Sequence, residues 1–95
     1  MKQYVIVATK QYRKDYKRLL KTCYDMAKLE IIIDALASDK KLENKYHDHD
    51  LQGKLKGMRE CHIGPDWLLQ YKKDDAYLIL LLIRTGDHRH VLGIE

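Results

Sequence analysis

The chain has 95 residues, a length that predicts one domain with a single hydrophobic core over residues 1–95. Its net charge of +4 and its pI near 9.0 favour a polyanionic partner such as nucleic acid, or an acidic protein. No apolar stretch approaches the ~20 residues of a membrane span, and the apolar run after Lys2 ends at Lys10, so we expect no membrane segment and no signal peptide. Cys23 and Cys61 form no CxxC pair, which favours reduced thiols in a soluble cytoplasmic protein.

The N-terminal half predicts one strand followed by two helices. An apolar run of β type extends from Tyr4 to Ala8 and stops at Thr9, a favourable residue for capping a helix. Beyond Thr9, and again beyond Asp25, which can also act as a cap, apolar residues recur at helical spacing. The first stripe consists of Tyr12, Tyr16, Leu19, Leu20 and Cys23, and the second of Met26, Leu29, Ile32, Ile33 and Leu36. These stripes predict a helical hairpin.

The first of these helices has a strongly basic surface with Asp15 as its one acid. Its basic residues are Lys10, Arg13, Lys14, Lys17, Arg18 and Lys21. Solvated helix faces usually mix charges of both signs, so this bias favours a surface that follows nucleic-acid phosphates. The alternative is an ordinary solvated face.

Strand-like segments dominate the C-terminal half, after a polar, irregular loop at residues 38–53. The segments cover residues 54–63, 66–72 and 76–83, with a short final one at 89–94, and turns are predicted at 64–65 and 73–75. Because residues 77–83 are apolar throughout, we expect a central strand covered on both faces. The order β-α-α-β-β-β, with the short last strand optional, predicts an α+β fold with a helical hairpin on one face of an antiparallel sheet.

The residues suited to chemistry also lie in this half. All histidines and the single tryptophan follow residue 45, at His47, His49, His62, Trp67, His88 and His90. Imidazole titrates near neutral pH, so clustered histidines suit proton transfer or metal binding. Antiparallel pairing can bring the strand-end His62, the strand-start Asp66, the loop residue His49 and His88 to one edge of the sheet. A structural role for His62 and a turn-forming role for Asp66 remain alternatives.

Three further features each have two interpretations. Trp67 either offers a stacking face to a nucleobase or belongs to the core, and Arg84 either binds phosphate bidentately or forms a surface ion pair. The HxH pairs at 47–49 and 88–90 have a spacing that suits Zn²⁺, Ni²⁺ or Cu²⁺. They lie on loops without a nearby cysteine or the usual glutamate of zinc enzymes, so we expect no metal and no other cofactor.

Three stretches of sequence resemble a known family. The stretches DHDLQGKLKG, RECHIGPDWLLQY and RTGDHRH resemble the YafQ branch of the RelE superfamily of type II toxins, and the resemblance runs over essentially the whole chain. It implies a ribosome-dependent endoribonuclease that cleaves mRNA in the decoding site, with a small α+β fold like that of microbial ribonucleases. It also implies a cognate antitoxin as partner, and we expect the toxin–antitoxin complex to bind operator DNA through that antitoxin.

Carried over position by position, the resemblance implies particular roles for individual residues. The catalytic residues would be His49, His62, Asp66 and His88, and the family's tryptophan falls on Trp67, which would contact the substrate. Apart from the resemblance, we expect Arg84 to contact the substrate and the basic helix to bind rRNA. An aromatic residue of the family falls on Leu92, which puts base stacking there in doubt. Asp50 stands where a proline is common, a change expected to loosen the loop that carries His49.

The implied reaction is attack of the RNA 2′-hydroxyl on the adjacent phosphate. We expect His88 to be the general acid, with Asp87 beside it favouring the protonated ring, and His49 or Asp66 to be the base. Arg84 or a protonated histidine would stabilise the charge on phosphorus. The alternatives are a non-catalytic basic nucleic-acid-binding module and, less favoured, a histidine-based metal-binding protein.

Overall fold

Five strands and three helices make up the part of the chain that the computed structural model describes, residues 2–92. In chain order they are β1 (Val5–Ala8), α1 (Lys10–Leu20), α2 (Met26–Ala37), β2 (His49–Asp50), β3 (Arg59–Gly64), β4 (Trp67–Asp74), β5 (Ile79–Gly86) and α3 (His88–Leu92). Short 3-10 turns at Asn44–Tyr46 and Gly53–Leu55 lie between α2 and β3. The predicted loop at 38–53 is therefore largely irregular, but it contains strand β2, and β3 begins later than predicted.

The strands form one sheet in the order β1-β5-β4-β3-β2. Strands β2 to β5 pair with their neighbours in antiparallel fashion, whereas β1 lies parallel to β5. The predicted α+β class is confirmed, but the sheet is mixed and not wholly antiparallel. A long connection that includes helices is what allows a strand to run parallel to its partner, and α1 and α2 lie in the connection between β1 and the rest of the sheet.

Both predicted helix caps are present. The Thr9 hydroxyl accepts the backbone N–H of Tyr12 at 3.0 Å, and the Asp25 carboxylate accepts that of Ala27 at 3.2 Å. The buried residues of α1 include Tyr12 and Leu19, and those of α2 are Leu29, Ile32, Ile33, Leu36 and Ala37. Leu20 and Cys23, which were predicted to belong to the first stripe, are exposed. The apolar face of α1 is thus narrower than its sequence suggested.

The hydrophobic core lies between the two long helices and one face of the sheet. Alternate strand residues contribute to it, namely Cys61 and Ile63 of β3, Trp67, Leu69 and Tyr71 of β4, and Leu80 and Leu82 of β5. The intervening residues of β5, such as Leu81 and Ile83, are half-buried. The prediction of a central position for β5 is therefore confirmed, while full cover on both faces is not observed. Within residues 2–92, no helix has the length and apolar character needed to cross a bilayer.

The predicted last strand is wrong as far as the described residues extend, because residues 88–92 form helix α3. Asp87 caps this helix: its side chain accepts the backbone N–H of His90 at 2.8 Å, and its carbonyl accepts that of Val91 at 3.0 Å. The remaining positions of the predicted strand, 93 and 94, lie outside the described residues. Asp87 is of a residue type that favours helix N-caps, so the sequence contained a signal for the start of α3.

Candidate active site

Four of the five histidines lie together beside β3. The ring of His62 is at the centre, with its centroid 5.6 Å from that of His47, 6.1 Å from that of His49 and 5.8 Å from that of His88. His62 belongs to β3, His49 to β2 and His88 to the first turn of α3. The structure therefore brings together residues from the three segments that topology suggested.

The loop that carries His47 and His49 is held to the sheet by the two acids that alternate with them. The carboxylate of Asp48 accepts hydrogen bonds from the Tyr71 hydroxyl at 2.5 Å and from Nε of Arg59 at 3.3 Å, and Asp50 accepts from Nη1 of Arg59 at 2.5 Å. His47 has a left-handed backbone, with φ of 48°. Asp50 contacts β3 through Arg59, and the expectation that it loosens this loop relative to a proline stays a prediction.

A buried carboxylate lies behind His49. The Nδ1 atom of His49 lies 2.5 Å from the carbonyl oxygen of His47. Because a carbonyl oxygen can only accept a hydrogen bond, Nδ1 carries a proton, and Nε2 is the ring nitrogen available for other contacts. That Nε2 lies 3.6 Å from Oε2 of Glu60, a residue only 6% exposed. Gln70, also buried, donates to the other oxygen of Glu60 at 3.4 Å.

Sequence reasoning did not find Glu60 or Gln70. The sequence did indicate that Glu60 lies near the site, because residues two apart on a strand share a face and Glu60 precedes His62 by two. Gln70 is paired with Glu60 across β3 and β4, a register that the sequence alone does not reveal.

Asp66 positions His88. One oxygen of Asp66, Oδ1, accepts the backbone N–H of His88 at 3.0 Å and lies 2.5 Å from Nδ1 of its ring. The hydrogen bonds with the ring and then with the backbone of His88 hold the pKa of Asp66 below its usual value, so the carboxylate stays ionised and accepts a hydrogen bond from Nδ1–H of the ring. The Nε2 atom of His88 is left as the reactive nitrogen. Asp87, which was expected to act on His88, contacts the ring of His90 at 2.7 Å instead.

The central imidazole of His62 favours its neutral form. Partial burial is the main cause that lowers its pKa, and although Glu60 acts in the opposite direction, the neighbouring rings of His47, His88 and His49 lower it further. A neutral imidazole near pH 7 can accept a proton. His62 therefore has the protonation state of a general base.

Arg84 is half-buried and forms an ion pair with the buried Asp15, whereas the predicted alternative to phosphate binding was an ion pair on the surface. Its Nε and Nη2 atoms both donate to the carboxylate of Asp15 at 3.2 Å, and that carboxylate is completely buried. Asp15 also accepts the backbone N–H of Thr85 at 3.1 Å and a hydrogen bond from Arg18 at 2.9 Å. Burial alone would raise the pKa of Asp15, but the hydrogen bonds from Arg84, Thr85 and Arg18 outweigh it and lower the pKa.

The same network separates Arg18 from the rest of the basic surface. The other basic residues of the helix and its C-cap are exposed, namely Lys10, Arg13, Lys14, Lys17 and Lys21. Arg18 is half-buried against Asp15, and its guanidinium lies over Gly86, at a point where any Cβ atom would stand only 2.6 Å from Nη2. Five exposed basic side chains therefore remain to contact phosphates.

Trp67 and Leu92 are the other two residues that were predicted to contact the substrate. Trp67 is 5% exposed, its indole N–H donates to the Thr85 hydroxyl at 3.0 Å, and its ring meets that of Tyr24 edge-on at 4.9 Å. This arrangement favours the core interpretation of Trp67. Leu92 ends α3, and its side chain lies outside the part of the chain that the structure describes.

Comparison with known proteins identifies the family. Residues 4–93 match the family model described as the bacterial toxin of type II toxin–antitoxin system, YafQ. The chain belongs to the YafQ family. It is 42% identical over 84 residues to the mRNA interferase toxin YafQ of Escherichia coli strain K12, an alignment that covers 87% of this chain and 89% of the relative. The resemblance stated from the motifs is confirmed.

Solved structures of two bacterial toxins share the fold over nearly their whole length. The E. coli DinJ–YafQ complex matches with a TM-score of 0.87 and 38% identity, over 96% of this chain and 100% of the other. A metal-bound toxin from Helicobacter pylori matches with a TM-score of 0.88 and 38% identity, over 94% of this chain and 99% of the other.

The metal in the H. pylori toxin raises the question of a metal in this YafQ family member. Among residues 2–92, no group of three or more histidine, cysteine, aspartate or glutamate side chains is arranged to hold a metal ion. Nδ1 of His49 is bonded to a carbonyl, and Nδ1 of His88 and of His90 to carboxylates, so Nε2 is the nitrogen of each ring that remains for other contacts. Because the described residues form no complete set of ligands, we assign no step of the reaction to a metal.

Proposed function

We propose that this YafQ family toxin is an mRNA interferase, a ribosome-dependent endoribonuclease that cuts translated message in the cytoplasm. The name of the E. coli relative supports the activity, and the DinJ–YafQ complex supports neutralisation by a cognate antitoxin, through which the complex would bind operator DNA. The single observation that carries the proposal is the grouping of a neutral His62 with His88, whose ring is oriented by Asp66.

The proposed reaction needs only proton transfers and charge stabilisation. The 2′-oxygen of one nucleotide attacks the adjacent phosphorus, the P–O2′ bond forms, and the P–O5′ bond breaks. A base removes the 2′-hydroxyl proton and an acid gives a proton to the departing 5′-oxygen. The products are a 2′,3′-cyclic phosphate and a free 5′-hydroxyl, and DNA is not cut because it lacks the nucleophile.

The geometry supports one assignment of these steps. His88 is the acid, because Asp66 holds its Nδ1 and leaves Nε2 to deliver a proton. His62 is the base, because its lowered pKa keeps it neutral. Asp66, earlier considered as a base, becomes a positioning residue, since its Oδ1 is engaged with His88.

Stabilisation of the phosphorus charge falls to His49 in this scheme. Arg84 was the other candidate, but both of its described hydrogen bonds go to Asp15. Nε2 of His49 lies 3.6 Å from the buried Glu60, whose negative charge favours a cationic ring, and a cationic ring beside His62 would stabilise charge that develops in the transition state. The ribosome adds the in-line geometry of the message.

Cleavage of a reporter mRNA in a reconstituted translation system tests the proposal. We expect the wild type to cut message on translating ribosomes and to leave the same RNA intact without them, and we expect His62→Gln and His88→Gln to lose cleavage. His90→Gln is the matched control, since its ring is also bonded to an aspartate but lies outside the cluster. Equal cleavage of naked RNA would overturn ribosome dependence, and wild-type rates in both variants would overturn the catalytic assignment.

A further inference from the structure

A groove of about 520 Å³ opens beside the histidine cluster, between the loop before β2 and the start of α2. Two residues of the cluster, His47 and His62, belong to its lining. The lining also includes Tyr46, Ile31, Lys28 and Lys45. None of the roles assigned above uses these four residues.

We propose that this groove binds a nucleotide of the substrate RNA next to the cleaved phosphate, and that it contributes to the choice of cleavage site. The inference deepens the proposed function and rests on it. Its volume is within the range of small-molecule sites. Because His47 and His62 belong both to the cluster and to the groove wall, an RNA chain whose phosphate lies at His62 would place a neighbouring nucleotide in the groove.

The chemistry of the walls fits a nucleotide. Tyr46 is half-buried and offers an aromatic ring on which any base can stack, with modest preferences that arise from differences in stacking strength. Lys28 and Lys45 are exposed and can contact phosphate. Lys45 lies over the Tyr46 ring at 5.2 Å and 3.7 Å from Glu43, an exposed pair that a phosphate can readily replace.

The charge of the groove favours RNA over a protein segment of mixed charge. Its described lining has two lysines and two histidines but no carboxylate. An aromatic ring between cations is the pattern by which single-stranded nucleic acid is held. An apolar wall from Ile31, which is 65% exposed, completes a surface on which a base would be shielded from water.

Titration of the full-length protein with RNA trinucleotides carrying 2′-O-methyl groups tests the inference, because these probes cannot undergo 2′-hydroxyl attack. Each of the four homotrinucleotides is added while backbone amide and side-chain methyl chemical shifts are recorded. We expect shifts at Tyr46, Ile31 and His62, with unequal affinities among the four bases. Uniform affinities with no shift at Tyr46 and Ile31 would overturn the inference.

Substitutions then locate the contact. Tyr46→Ala should weaken trinucleotide binding by about five- to a hundredfold, the range for loss of one base-stacking contact, whereas Tyr46→Phe should bind nearly as well as the wild type. Tyr77→Ala is the control, because Tyr77 is 77% exposed in the β4–β5 turn, outside the groove. Lys28→Gln should weaken binding and reduce its salt dependence, and Lys40→Gln, three residues beyond the C-terminal end of α2, should not.

The map of cleavage sites on translated message separates the inference from the proposed function. We expect Tyr46→Ala to change the relative use of cleavage sites, whereas His62→Gln lowers cleavage at every site by about 100-fold or more. If His62→Gln cleaves at the wild-type rate while Tyr46→Ala weakens trinucleotide binding, the catalytic proposal is wrong and the groove inference is retained. If His62→Gln is inactive but Tyr46→Ala leaves both trinucleotide binding and the site map unchanged, the groove inference fails alone. Protection of the groove by the antitoxin, without any trinucleotide shift, would assign it to a protein partner and overturn the inference.

Discussion

Oδ1 of Asp66 holds His88 at two points, because it accepts the backbone N–H at 3.0 Å and lies 2.5 Å from Nδ1 of the ring. The two contacts fix both the start of α3 and the orientation of the imidazole. A carboxylate that orients a histidine in this way also determines which ring nitrogen is free to react. The chain contains a close parallel in Asp87, which contacts the backbone and ring of His90.

We predict that His88→Ala lowers the single-turnover rate of RNA cleavage by about 100-fold or more, with little change in ribosome binding. Asp66→Asn should lower the rate less, by about tenfold, because it removes the orientation of the acid but leaves the acid in place. The double variant should be no slower than His88→Ala alone. His90→Ala serves as the control, and an equal loss there would show that the wrong histidine was assigned.

A second prediction concerns the pH dependence of cleavage. A general base must be unprotonated, so the rate should fall as pH decreases through the pKa of His62, which burial and the neighbouring imidazoles place below 6.5. The acid limb of the single-turnover rate profile should therefore have its midpoint below 6.5, and it should disappear from the residual activity of His62→Gln. An acid limb that persists unchanged in this variant would rule out His62 as the base.

Most of the fold could be predicted from short-range patterns. Thr9 and Asp25 predicted the starts of the two long helices, and strand-like segments, one of them apolar throughout, predicted β4 and β5. The parallel pairing of β1 with β5 could not be predicted, because it joins distant parts of the chain, with Val5 opposite Ile79. Helix α3 has five residues, too few to show an apolar period, so only its Asp87 cap was available as a signal.

The part of the site that depends on the order and direction of the strands could be predicted from the sequence. The histidines on β2, β3 and α3 converge for that reason. The role of Asp15 was not predictable, since an acid among many basic residues on a helix appears solvated, and its partner Arg84 lies 69 residues away in sequence. The buried Glu60 was missed because burial of a carboxylate depends on contacts from β4 and the His49 loop.

The third prediction concerns stability. Asp15→Asn should lower the free energy of unfolding by about 2–4 kcal/mol and Tm by about 10 °C or more, because Arg84, Arg18 and the Thr85 N–H would lose a buried ionised acceptor. Thermal unfolding followed by circular dichroism measures this change. Asp34→Asn, on the exposed surface of α2, is the control and should change Tm little.

The stabilisation by Asp15 should depend on pH in a defined direction. Its pKa is lower in the folded protein than its ordinary value of 3.8, so its contribution is fully present above that value and is lost as pH falls through the folded pKa. The difference in stability between the wild type and Asp15→Asn should thus be constant near neutral pH and shrink only below about pH 4. A difference that shrinks already between pH 7 and 5 would contradict the assignment.

The fourth prediction is that cleavage persists without a transition metal. A ribonuclease that uses the 2′-hydroxyl as nucleophile needs no metal-bound water, and the described residues hold no metal-binding group. Activity on translating ribosomes should survive a chelator that removes transition metals but leaves the Mg²⁺ that ribosomes require. Loss of cleavage under that chelator, with recovery on adding Zn²⁺ or Cu²⁺, would instead make the histidines ligands.

The last prediction concerns the exposed basic residues of α1. We expect Lys14, Lys17 and Lys21 to contact rRNA phosphates, so replacing all three with Gln should weaken association with ribosomes at low salt. The slope of log affinity against log salt should decrease in magnitude by about 2 to 3, because each neutralised phosphate releases bound counterions. Arg18 is left unchanged because its contact with Asp15 stabilises the fold.

A charge-matched variant makes this last experiment specific. Replacing Lys2, Lys40 and Lys41 with Gln removes the same charge from exposed positions outside α1. If α1 makes the contacts, the α1 variant loses far more affinity than this control, while both unfold at the wild-type temperature. If the two variants lose affinity equally, the attraction is a property of net charge alone and α1 is an ordinary solvated face.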